Sequence, residues 1–134
     1  MHPEKPHDVD RQLAPRLAEL TRSHEANPAD PALALRLARG LNAAQESPQA
    51  RLVAGRAIEA FPEGGDRNVL GLLWYERLYA IAHQDPRELA AHARHAQKLV
   101  RAEPEVAWTH RNLALVYYYT ERDAACRKWI DRAL

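Results

Sequence analysis

Proline beside asparagine, aspartate, serine, glycine or glutamate cuts this chain at NPADP (27–31), ESP (46–48), FPEGGD (61–66), QDP (84–86) and AEPE (102–105). Proline lacks an amide hydrogen, while glycine and the Asx residues favour turns, so regular elements end at such clusters. Between the clusters, apolar residues recur at three- and four-residue steps, and no segment alternates as a strand does. The spacing predicts helices over about 9–26, 31–44, 48–60, 67–84, 87–102 and 105–119, with a seventh from about 122 onward. Asp30, Ser47, Asp66 and Asp85 are the expected N-caps, which places Pro31, Pro48 and Pro86 at first helical positions.

Helices joined by turns this short are antiparallel neighbours. The pairs recur at a fixed distance. Pro28 and Pro62 are 34 residues apart, as are Trp74 and Trp108, and the same shift carries Tyr79 and Ala80 onto Leu113 and Ala114. Pro62 and Pro104 are 42 apart, the same period plus an eight-residue insertion. The pattern resembles the tetratricopeptide repeat family, whose unit is a 34-residue helix–turn–helix. With Pro31, Leu73 and Ala107 as first positions, the family's packing slots hold Leu37, Ala38, Leu41, Ala50, Ala54, Ala57 and Pro62 in the first unit. They hold Tyr79, Ala80, His83, His92, Ala96, Leu99 and Pro104 in the second, and Leu113, Ala114, Tyr117, Cys126, Ile130 and Ala133 in the third. Small residues in such slots let two helices approach to about 8–10 Å. The sequence departs from the family at its fourth position (Ala34, Glu76, His110) and at its turn glycine (Gln45, Arg87, Glu121).

The resemblance implies an all-α, right-handed α-solenoid of helix-turn-helix hairpins, with about three repeats (31–64, 73–106 and 107–134) plus an N-terminal helix. Residues 1–8 are expected to be a disordered tail, 9–134 the repeat domain and 65–72 the insertion. GGD (64–66) reads as a turn, and RNVLGLL runs directly into WYERLYAIAH. The first helix of the second unit is therefore expected to start two turns early, at Arg67, with Gly71 weakening it by about 1 kcal/mol.

Family members commonly hold a peptide or protein tail in a concave groove lined by first helices. Carried over position by position, the groove residues are Arg39, Trp74, Arg77, Ile81, Trp108, Arg111, Asn112, Leu115, Tyr118 and Tyr119. Trp74 beside Trp108 and Arg77 beside Arg111 form two expected ladders. Guanidinium forks hold carboxylates and indoles supply apolar area, so the expected ligand is an acidic or C-terminal peptide segment. In this register Leu113, Ala114 and Tyr117 are the packing face of their helix.

Charge and cysteine content narrow the alternatives. Nineteen Lys+Arg against eighteen Asp+Glu leave a formal charge of +1, which offers no global attraction to nucleic acid or membrane. Cys126 is the single cysteine, and MHPEKPHDVD has no signal-peptide character, so the expectation is a cytoplasmic protein. His83, His92 and His95 lack a completing ligand set and read as structural histidines, and no nucleophile–base spacing points to an enzyme. No cofactor, metal, nucleic acid or membrane is expected as a partner. The chain stops at Leu134 with Ile130 and Ala133 lacking a neighbour, so the rival reading is self-association through this C-terminal helix, or membership of a larger assembly.

Overall fold

A computed structural model describes residues 6–103 and 105–121, with side chains described from residue 15 to residue 120. The described residues form six helices and no strand: α1 (Pro6–Ala26), α2 (Pro31–Ala43), α3 (Ser47–Glu59), α4 (Arg67–Gln84), α5 (Pro86–Ala102) and α6 (Ala107–Glu121). The expected seventh helix, with Cys126, Ile130, Ala133 and Leu134, lies outside the described residues, as do residues 1–5 and Pro104. Among the described residues no helix is long and apolar enough to cross a membrane.

The turn chemistry does what its residues allow. Asp30, Asp66 and Asp85 accept hydrogen bonds from the backbone amides of Ala32, Asn68 and Arg87. Ser47 departs from its expected role: it lies inside α3, behind an N-cap Glu46 that makes no side-chain capping bond. α1 begins at Pro6 rather than residue 9, since proline is tolerated in a first turn whose amide needs no partner. The α2 C-terminus closes with Glu46 N donating to Leu41 O at 2.8 Å and Gln45 N to Asn42 O at 3.0 Å. This paired closure needs a left-handed residue, and Gln45 supplies it at φ 62°. Gln45→Gly is expected to raise stability by about 0.5–1 kcal/mol, because only glycine adopts this conformation without steric cost; a thermal melt that falls would refute this.

Among the described residues the helices pack only on helices one or two places away in sequence: α1 with α2, α2 with α3 and α4, α3 with α4, α4 with α5 and α6, and α5 with α6. α4 alone meets four neighbours, which explains why it is apolar on almost every side. It joins two clusters. On one side Ala34, Leu35 and Leu73 pack with Val53, Ile58, Phe61 and Val69. On the other, Leu78, Ile81 and Ala82 pack with Leu89, Ala93, Leu115 and Val116.

The expected insertion is a turn followed by helix. Arg67 binds both carboxylate oxygens of Glu103 at the end of α5 (2.8 and 2.7 Å). One turn on, Gly71 lies directly beneath the Trp108 side chain, and a β-carbon there would meet Trp108 Cβ at 2.7 Å. Gly71 is thus the site of closest approach between α4 and α6 rather than merely a weak point in a helix.

Candidate functional site

α2, α4 and α6 lie side by side, with α4 in contact with both. Successive residues turn by about 100°, so each helix presents one stripe to its uncovered side. On α2 that stripe is Ala32, Arg36, Arg39 and Ala43, all exposed. On α4 it is Leu72, Tyr75, Tyr79 and His83, and on α6 it is Arg111, Ala114 and Tyr118.

Contacts join these stripes into one face. Ala43 shares a cleft with Asn42, Gln45, Ser47, Tyr79 and His83. The His83 ring stacks on Tyr79 with centroids 4.2 Å apart, and its Nδ1 lies 2.9 Å from Tyr79 O. Tyr119 reaches over from α6 to meet Tyr79 edge-on at 6.0 Å and His83 at 5.3 Å, and Tyr118 meets Tyr119 at 5.1 Å. The Arg111 guanidinium lies 5.8 Å from the Tyr75 ring centroid, within cation–π range. At the α1 end, Arg36 and Arg39 share a second cleft with Arg16, floored by Leu17, Leu20 and Gly40. Among the described residues none of these three arginines makes an ion pair.

Beneath the face, buried amides tie the helices together. Asn42 Nδ2 donates to Glu76 O at 3.0 Å and to Glu76 Oε1 at 3.5 Å. From the other side Asn112 Nδ2 donates to Gly71 O at 3.4 Å. Burial pushes the Glu76 carboxyl pKa up, against the pull of the Asn42 bond and the Arg39 charge.

The ten residues expected in a groove fall into three places. Arg39, Arg111, Tyr118 and Tyr119 belong to the α2–α4–α6 face. Ile81 (0% exposed), Asn112 (1%), Trp108 (3%) and Leu115 (6%) are interior residues and line no groove. Trp74 and Arg77 are together, but on another side of α4. The Arg77 guanidinium sits over the Trp74 ring at 5.2 Å, and Trp74 meets His95 of α5 at 5.1 Å. Neither ladder exists: Trp74 turns toward α5 while Trp108 is sealed against Gly71. The expected packing face of α6 is corrected too. Trp108, Asn112, Val116 and Thr120 are buried, Leu113 and Tyr117 are partly buried, and Ala114 is exposed.

Tyr75, Tyr79 and His83 were not expected on this face. Their three- and four-residue spacing was the available signal, together with the polarity of His83, which suits solvent better than the core slot expected for it. His83 also stands apart from His92 and His95, and no group of three or more metal-binding side chains converges among the described residues. No family model, curated protein or solved structure matches the chain.

Proposed function

We propose that this chain is a tetratricopeptide-like solenoid that holds an acidic peptide or protein segment against the face formed by α2, α4 and α6. The observation that carries this reading is the packing order. α2, α4 and α6 form one layer, while α1, α3 and α5 each pack against the helix that follows them. That order leaves the first-layer stripes uncovered, and their side chains are of two kinds. Arg16, Arg36, Arg39 and Arg111 supply guanidinium forks suited to carboxylates. Tyr75, Tyr79, Tyr118 and Tyr119 supply rigid, amphipathic contact area at low entropic cost. The activity proposed is binding, not catalysis.

Selection from a random peptide library is expected to enrich sequences with aspartate or glutamate beside an apolar residue. Arg39→Glu combined with Arg111→Glu is expected to weaken the selected peptides by roughly tenfold to a hundredfold, the loss of one or two charge-assisted bonds. Both side chains are exposed, so the helical circular dichroism spectrum should be retained, with only a modest fall in melting temperature from the lost Arg39–Glu76 and Arg111–Tyr75 attractions. Equal affinity for the double variant and the parent would sink the proposal.

A further inference from the structure

Trp74 and Arg77 mark a different surface. Among the described residues α3 and α5 flank α4 without backbone approach to each other, so part of α4 shows between them. On the α3 side is a cleft of about 390 Å3, walled by Arg51, Leu52, Gly55, Arg56 and Glu59 and floored by Arg77 and Gln84. Arg51 on its wall also pairs with Glu88 of α5 through both carboxylate oxygens, which links α3 to α5.

Arg77 is the unusual member. Its guanidinium is held against Trp74, its Nε lies within van der Waals distance of where a Gly55 side chain would begin, and that Nε is buried without a hydrogen-bond partner. Among the described residues no carboxylate lies within ion-pair distance of it, and Glu88, the carboxylate that feels its charge, is paired with Arg51. A half-buried cation without a direct counter-ion is costly unless something else neutralises it. Next to it Leu52 is 52% exposed, one of two large apolar side chains left so open among the described residues. A fixed cation beside an open apolar side chain is complementary to a segment that pairs a carboxylate with an apolar residue.

We propose that the cleft between α3 and α4 is a second docking site, separate from the α2–α4–α6 face, for a partner segment that sets a carboxylate on Arg77 and Arg56 and an apolar side chain on Leu52. Glu59 on the cleft wall repels a second acidic residue and so favours a single carboxylate flanked by apolar groups.

The test is amide and side-chain NMR of the full chain titrated with a short leucine–glutamate–leucine peptide, with its glutamine counterpart as control. The glutamate peptide is expected to shift the Gly55 amide and the Arg77 Nε–H signals, and the glutamine peptide to leave them in place. Arg77→Gln is expected to weaken the response by roughly tenfold. If Arg77→Gln impairs folding, the exposed Arg56→Glu is expected to give the same loss. Arg39→Glu with Arg111→Glu should leave the cleft shifts intact, which separates this site from the first. Shifts confined to Tyr75, Tyr79 and Arg111, or equal responses from the parent and the Arg77 and Arg56 variants, would overturn it.

Discussion

Gly71→Ala is expected to destabilise the protein by roughly 1–3 kcal/mol, although alanine is the better helix former by about 1 kcal/mol. The reason is the indole above it. A β-carbon at position 71 would fall inside the van der Waals envelope of Trp108, whose Cβ would lie only 2.7 Å away. Trp108 has nowhere to go, since it is 3% exposed and Asn112, one turn along the same helix, is fixed to Gly71 O. The pair makes a decisive cycle. Trp108→Ala alone is expected to cost about 3–5 kcal/mol through the cavity it leaves. In that background Gly71→Ala is expected to cost less than in the parent, because the ring contacts are gone while the β-carbon of residue 108 still lies 2.7 Å away. Denaturant unfolding of the four proteins reads the coupling; a Gly71→Ala protein more stable than the parent would refute the close approach.

Glu76 carries the second large effect. It is buried, and its folded pKa is raised above the unfolded value by burial. A carboxyl shifted in that direction binds its proton more tightly in the folded state. Stability therefore falls as pH rises from the unfolded carboxylate range through the folded value, and stays at the reduced level at neutral pH. Asn42 and Arg39 oppose the shift without cancelling it. Glu76→Gln keeps an oxygen to accept the Asn42 bond and removes the charge. It is expected to raise stability at pH 7 by about 1 kcal/mol or more, the scale of a buried, incompletely paired polar group. The two proteins should converge below about pH 4, where the glutamate is protonated in both states. A constant difference across that range, or a less stable variant at pH 7, would contradict the reading.

The helices were legible in the sequence because their ends are written in local chemistry. Asp30, Asp66 and Asp85 cap through their own side chains, and the early start of α4 at Arg67 followed from the turn before it. The faces were less legible, for a geometric reason. Taking Leu73 as a first position put Trp74, Arg77 and Ile81 in the groove, whereas the open stripe is Leu72, Tyr75, Tyr79 and His83. Two residues along a helix is a rotation of about 200°, enough to exchange one side for the other. The eight-residue insertion left that offset undetermined, and the matched tryptophans argued for the wrong value. On α6 the error was nearer one residue, so Arg111 and Tyr118 kept their place while Trp108, Asn112 and Leu115 went inside. On α2 Arg39 is exposed on the open stripe. The polar ties to α4 through Asn42 and Asn112 were not legible at all, since nothing local distinguishes a buried asparagine from a solvated one.

The position of α4 has a bearing on how binding on one side is felt on another. Apart from the Arg51–Glu88 pair, the helix packing that joins the α1–α3 end to the α5–α6 end of the described chain runs through this one helix. Its two outward stripes belong to different surfaces, with Tyr75, Tyr79 and His83 on one and Trp74 and Arg77 on the other. The two stripes are thus carried by one rigid rod of 18 residues. A rotation of that rod by a few degrees would displace both stripes at once and in opposite directions.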